Sequence, residues 1–169
     1  MVTEAEVANL FQAHAAAVHA AVYRVTLDAA AAEDATQEAF VRLLTRPPRD
    51  ESNLPAWLKR VAVNAAIDAL RRTNRSVALG DHDAEAPEQA AVTADVPLSA
   101  ELESALKRLK ADHRAAVLAV DRDGMSYQDA AALLGVRLNK LKTDLLRGRR
   151  ALHGLLRGTE LAARSGREV

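Results

Sequence analysis

The sequence predicts an all-α protein: two small helical domains joined by a flexible acidic linker. Three observations carry this. Apolar residues recur at helical spacing through most of the 169-residue chain, and no stretch alternates as a strand does. Alanine is abundant and aromatics are few, which suits helices packed closely through small side chains. Between the two helical parts, Ser76 to Pro97 has no sustained period, five acids, two prolines and no Lys or Arg, so it has too little apolar surface to offset chain ordering.

The first domain spans residues 1–75. Thr3 and Glu6 have capping-box spacing, and Val7, Leu10, Phe11, His14, Val18 and Val22 fall near one face of the helix that follows. A second amphipathic helix, "TLDAAAAEDATQEAFVRLLTR", has Asp28 as its expected N-cap. Ala35, Phe40, Val41 and Leu44 are its apolar positions, with Phe40 and Leu44 facing inward. "PPRDESNLP" breaks helix, because proline cannot donate to the helical ladder. "AWLKRVAVNAAIDALRR" restarts it, with Leu58, Val61, Ala65 and Leu70 on the buried side.

Residues 76–97 form the linker. The second domain, 98–157, opens with Ser99 as N-cap; "DHRAAVLAV" follows, then a turn at "DRDG". "SYQDAAALLG" starts on a second capping box, Ser126 to Asp129, and ends on Gly135. The last helix begins near Leu138. This is the layout of a helix-turn-helix. Leu138, Leu141, Leu145 and Leu152 make the packing stripe; Asn139, Thr143, Leu146, Arg147 and Arg150 project the other way, with Lys140 and Lys142 on the flanks. Amide, hydroxyl and guanidinium groups suit major-groove base edges, and the cations suit phosphates. Asp144 lies about 100° from Thr143, at the edge of that face. Two readings stay open for it: a brace for Lys140, or a charge that repels phosphate. Residues 158–169 form a loosely helical or frayed tail without evident chemistry.

Composition excludes several classes. There is no cysteine, hence no disulfide and no thiolate metal site. No apolar run is long enough to span a membrane, and the acidic start lacks signal-peptide layout, so the expected location is cytoplasmic. The net charge of zero averages an acidic linker and a cation-rich C-terminal part. His14 and His19 are five apart, off the i, i+4 spacing of metal pairs; there is no Gly-rich phosphate loop and no nucleophile elbow. We therefore expect no catalytic residue, no metal, no cofactor and no small-molecule substrate.

Three stretches in order resemble an extracytoplasmic-function (ECF) RNA polymerase sigma factor. They are "AAEDATQEAFVRLL", "AWLKRVAVNAAIDALRR", and "ALKRLKADHRAAVLAV" paired with "GMSYQDAAALLGVRLNKLKTDLLRGRRAL". The resemblance covers most of the chain outside the linker and implies a sigma region 2-like bundle followed by a region 4-like helix-turn-helix. It implies that Asp34, Gln37 and Glu38 dock on core RNA polymerase. Arg49, Asp50, Ser52 and Asn53 match the loop that captures a flipped base of the minus-ten element, at an unstacking cost of a few kcal/mol; which of them reads the base is open. Asn64 and Asp68 share a helical face beside minus-ten DNA, and Arg71, Arg72 and Arg75 meet phosphates. Asp68 has a structural alternative, pairing with Arg71 or Arg72, and Trp57 reads as core rather than as a stacking platform. Arg137, Asn139, Lys140, Lys142, Thr143, Leu146, Arg147 and Arg150 form the implied minus-thirty-five surface. Partners are thus core polymerase, promoter DNA and, in many relatives, an anti-sigma protein.

The chain departs from the family pattern where Arg137 replaces a turn proline, Asp144 a common arginine, Ala130 a larger aliphatic and Lys110 a proline. These departures bear on promoter choice. The alternative to a sigma factor is a stand-alone helix-turn-helix regulator whose N-terminal helices bind an effector or dimerise; it would bind duplex DNA without polymerase.

Overall fold

The computed structural model describes residues 3–77 and 98–165. The linker expectation falls almost wholly outside them, as do the last residues of the tail. The described chain forms seven α-helices: α1 (Glu4–Thr26), α2 (Ala29–Thr45), α3 (Leu54–Val77), α4 (Ala100–Lys107), α5 (Ala111–Val117), α6 (Tyr127–Leu134) and α7 (Leu138–Ser165). A π-helical turn, Leu118–Arg122, continues α5.

Local chemistry sets the helix starts. Thr3 and Glu6 close a reciprocal capping box on α1, Asp28 accepts from the Ala31 amide at α2, and Ser99 accepts from Leu102 at α4. At α6, Ser126 accepts from the Asp129 amide at 3.0 Å and its hydroxyl donates to the Asp129 carboxylate. Each cap satisfies an amide that has no partner within its own helix. Gly135 ends α6 at φ 64°, a left-handed conformation that costs glycine nothing. Leu27 adopts the same region (φ 55°) between α1 and α2. It is buried, so the roughly 1–2 kcal/mol of backbone cost is set against full burial of a leucine side chain.

The first lobe packs α1, α2 and α3 against one another; the second packs α4, α5 and α6 on α7. Fully buried Val18, Val22, Leu43, Leu58 and Val63 fill the first core, and Leu118, Leu141 and Leu145 the second. Three expected positions differ. Leu44 and Val41 are exposed, and Leu43 is buried in their place, because the inward line of α2 runs through Ala32, Ala35, Ala39 and Leu43. Phe11 is likewise half-exposed, its ring meeting Phe40 edge-on at 4.9 Å. The last helix extends past Leu152 to Ser165, into the stretch that the sequence left as loosely helical or frayed.

The two lobes do not stand apart. α1 packs on α5 and its π-turn, and α3 packs on α5 and α6, so the buried residues form one continuous cluster. Arg24 of α1 donates from Nε and Nη2 to the two Asp123 carboxylate oxygens, at 3.1 and 3.0 Å. Buried Arg114 of α5 donates to the Thr26 carbonyl at 2.6 Å, as well as to the carbonyls of Lys107 and Leu109.

Candidate nucleic-acid interface

Helix α7 is held by Leu141 and Leu145, both buried, with Leu152 partly covered and Leu138 37% exposed at its start. Gly148 sets its distance from α5. A Cβ there would lie 2.8 Å from Val117 Cγ2 and 2.9 Å from the His113 carbonyl oxygen, so the absence of a side chain is what permits this close approach. With the leucines inward, Arg137, Asn139, Lys142, Thr143, Leu146, Arg147 and Arg150 are all exposed. The Thr143 hydroxyl donates to the Asn139 carbonyl at 3.0 Å, which fixes its rotamer along the reading face. Leu146 is 50% exposed, an apolar group standing among cations, suited to a thymine methyl.

Lys140 differs from its neighbours. Its ammonium pairs with Asp144, one turn on, and lies 3.6 Å from Asp112 of α5. Asp144 is 8% exposed. It therefore sits on the packed side of α7, and of the two readings left open by the sequence, the brace for Lys140 is the one its geometry supports.

Asp34, Gln37 and Glu38 are exposed together on the outer face of α2. Glu38 accepts from Arg42 at i+4. Beside them lies an apolar groove lined by Val7, Phe11, Phe40, Val41 and Leu44. The sequence reading missed this groove; one signal for it was that Leu43 and Leu44 cannot both face inward.

The loop between α2 and α3 is shaped by its own polar groups. Asp50 accepts from the Ser52 amide at 2.9 Å; the Ser52 side chain first, and that amide second, hold the Asp50 carboxyl below the usual carboxylate range. Asn53 caps α3, its Oδ1 accepting from the Ala56 amide. Pro48, Asp50, Ser52, Asn53, Trp57, Lys59 and Arg60 line an open cleft, with Ala132 and Leu133 of α6 across from them. Trp57 is half-buried, packed against the core while also lining this cleft; Arg49 is exposed nearby in sequence.

On α3, Asn64 is half-buried, and a Cβ at Gly135 would lie 2.8 Å from its Nδ2. Asp68 accepts from Arg71 at 2.6 Å, the structural pairing that the sequence offered as an alternative to base contact. Arg71 also donates to Asp112 at 2.8 Å, and that bond, more than the neighbouring charge, raises its pKa. Arg72 is exposed. The structure thus gathers Asp50, Ser52 and Asn53 at one cleft and Asn64, Asp68 and Arg71 along α3. The α7 set stays on a separate face.

A basic helix-turn-helix beside a three-helix lobe with an acidic outer helix is the construction of a protein that reads DNA while holding a second macromolecule. Known proteins make the class specific. Residues 10–76 match the Sigma-70 region 2 family and residues 99–152 match Sigma-70, region 4; together these cover well over half of the chain. The chain is 34% identical over 155 residues to the ECF RNA polymerase sigma factor SigE of Mycolicibacterium smegmatis, covering 88% of this chain and 60% of that one. To RNA polymerase sigma factor CarQ of Myxococcus xanthus it is 33% identical over 157 residues, 90% of each chain. Among solved structures, the sigma factor RpoE from Bartonella quintana, in complex with the anti-sigma factor NepR, superposes with TM-score 0.60 at 26% identity, covering 88% of this chain and 95% of that one. CnrH, in complex with the cytosolic domain of CnrY, shares the fold (TM-score 0.54, 22% identity, 92% and 90% covered). The chain belongs to the ECF class of the sigma-70 family.

Proposed function

We propose that this chain performs the initiation role of its family, binding core RNA polymerase and directing it to particular promoters, with the labour divided between its lobes. The first lobe, residues 1–75, docks through Asp34, Gln37 and Glu38. It engages the minus-ten element through the α2–α3 loop (Arg49, Asp50, Ser52, Asn53) and α3 (Asn64, Asp68, Arg71, Arg72). Residues 76–97 connect it to the second lobe, 98–157, which reads the minus-thirty-five element with α7. The observation that carries this reading is the exposed polar face of α7: Asn139, Lys142, Thr143, Leu146, Arg147 and Arg150 of the helix, with Arg137 just before it, all exposed while Leu141 and Leu145 are spent on packing. Lys140, drawn to Asp144, serves α7 chiefly by neutralising that acid.

The chain is not an enzyme; bond formation belongs to polymerase. No helix among the described residues is long and apolar enough to cross a membrane, and we place its action in the cytoplasm with polymerase and promoter DNA. An anti-sigma protein is a further proposed partner, since a structural relative was solved bound to one. A stand-alone regulator is disfavoured by the region 2 match, which runs over residues 10–76 and so takes in most of the first lobe.

Genome-wide run-off transcription with core polymerase tests the reading: specific transcripts are expected only when the chain is added. Absence of core binding at micromolar concentration overturns it. Glu38→Lys places a cation beside Arg42 and is expected to impair core binding while leaving helix content intact; normal holoenzyme formation would remove Glu38 from the docking surface.

A further inference from the structure

We propose that Lys110 and His113 of α5 join Arg147 of α7 in an anchor for the DNA phosphate backbone, at one flank of the reading face, and that this anchor tightens when His113 takes up a proton. It rests on the reading of α7 as the DNA face.

The three side chains are brought together by the close contact of α5 with α7. A Cβ on Gly148 would lie 2.9 Å from the His113 carbonyl oxygen and 3.3 Å from His113 Cβ. The histidine therefore leaves α5 directly against the stripe of α7 that holds Asp144 and Gly148, one turn apart and both buried. Arg147, next to Gly148, is exposed at the edge where that stripe meets the reading face. Lys110, three residues before His113 and so on the same side of α5, is exposed as well, while His113 itself is half-buried. Lys110 is also one of the chain's departures from the family pattern, so the anchor is a feature of this chain rather than of its class.

Charge suits this seam to an anion. The charged groups that act on His113 come from both helices: Asp144 and Arg147 of α7, Lys110 and Asp112 of α5. The two acids are occupied, Asp144 by Lys140 and Asp112 by Arg71, with Lys140 a further 3.6 Å from Asp112. Lys110 and Arg147 form no ion pair with a described residue. Two uncommitted cations thus stand beside an imidazole whose proton affinity is lowered by burial first, and then by those same cations. A phosphate placed among them reverses that balance. It supplies the counter-charge, and it accepts a charge-assisted hydrogen bond from the protonated ring. The bound chain then holds the proton more tightly than the free chain. By linkage, affinity grows as pH falls through the pKa of the complex, and the gain is complete below the pKa of the free chain. Phosphate contacts fix a helix on the duplex without reading its bases, so the gain applies to every sequence.

Two measurements use the full chain and a short, fluorescein-labelled duplex of mixed sequence. First, NMR follows the His113 ring nitrogens between pH 5 and 8, with and without duplex. The pKa is expected to rise on binding; an unmoved titration overturns the proposal. Second, fluorescence anisotropy reads affinity against salt. From pH 8 to pH 5 the wild-type affinity is expected to rise about fivefold, and the slope of log affinity on log salt to steepen by about 0.9, the mark of one more neutralised phosphate. His113→Gln is expected to match the wild type at pH 8 and to lose the rise. His153→Gln alters an exposed histidine further along α7 and is expected to keep it. Lys110→Ala is expected to weaken binding at both ends of the range and to make the slope shallower by about 0.9. A rise that survives in His113→Gln, a Lys110→Ala chain that binds as the wild type does, or a wild type that binds no duplex at pH 5 and low salt sinks the anchor. Circular dichroism checks helix content; if His113→Gln loses it, the NMR titration of the wild-type chain decides alone. Binding to core polymerase is measured separately. If the chain fails that test while the anchor behaves as expected, it is the functional reading that falls.

Discussion

Replacing Arg114 by methionine tests the joint on which both lobes depend. The side chain is 6% exposed and donates to three carbonyls: Thr26 at 2.6 Å, Lys107 at 2.9 Å and Leu109 at 3.3 Å. Each bond to a charged donor is worth about 1.5–3 kcal/mol, so the gross loss is several kcal/mol. Against it stands the cost of burying a guanidinium without a carboxylate at bonding distance. That burial draws its pKa below the ordinary value, with the charge of Asp28 opposing it only in part, and Nε has no hydrogen-bond partner. Methionine removes this cost and keeps most of the volume, but leaves three carbonyls unbonded. A net loss of about 2–4 kcal/mol follows, a large fraction of the 5–15 kcal/mol typical of a domain. Urea unfolding followed by circular dichroism reads it. Because one bond crosses to α1, the slope of the transition should also fall as the lobes lose cooperativity. A loss under about 1 kcal/mol with an unchanged slope would refute the claim that Arg114 couples the lobes.

Three further outcomes follow from the second lobe. Gly148→Ala gains up to about 1 kcal/mol of helix propensity but drives a methyl into Val117 and the His113 carbonyl; overpacking of about 1–3 kcal/mol should win and lower Tm, and a raised Tm would show that α5 can yield. Asp144→Arg puts a cation on the packed side of α7 beside Lys140, so we expect a loss of about 3 kcal/mol and no general gain in DNA affinity; a uniform gain with a steeper salt slope would restore the phosphate-repulsion reading. Burial lowers the His113 pKa from 6.5, with Lys110 and Arg147 acting in the same direction and Asp144 and Asp112 against it. The folded state then binds fewer protons than the unfolded one, so stability falls as pH drops through 6.5 and below. His113→Gln should flatten that slope in urea titrations between pH 5 and 8, and an unaltered slope would exonerate the histidine.

How much was legible in the sequence depends on how far its causes reach. The caps at Thr3, Asp28, Ser99 and Ser126 and the stop at Gly135 each need only a few neighbouring residues, and each is present. The inward positions of Leu141 and Leu145 follow from period alone. Leu44 was misplaced because α2 offers two adjacent leucines, and only the packing of α1 and α3 selects Leu43. The π-helical turn after Val117 carries no composition signal. Contact between the lobes was invisible for a different reason: Arg24 and Asp123 are 99 positions apart, and each alone reads as an ordinary surface charge. The candidate site was legible as a set of residue types on faces, while the covering of Asn64 and Arg71 was not.

Those same distant pairs explain how a chain with zero formal net charge can present a surface for polyanions. Four aspartates of the second lobe are each committed: Asp112 to Arg71, Asp121 to Arg149, Asp123 to Arg24 and Asp144 to Lys140. Arg137, Lys142, Arg147 and Arg150 form no ion pair with a described residue. A close pair is nearly a dipole, and beyond a Debye length of about 8 Å it contributes little field, so the outward cations of α7 are hardly diluted by acids that lie elsewhere.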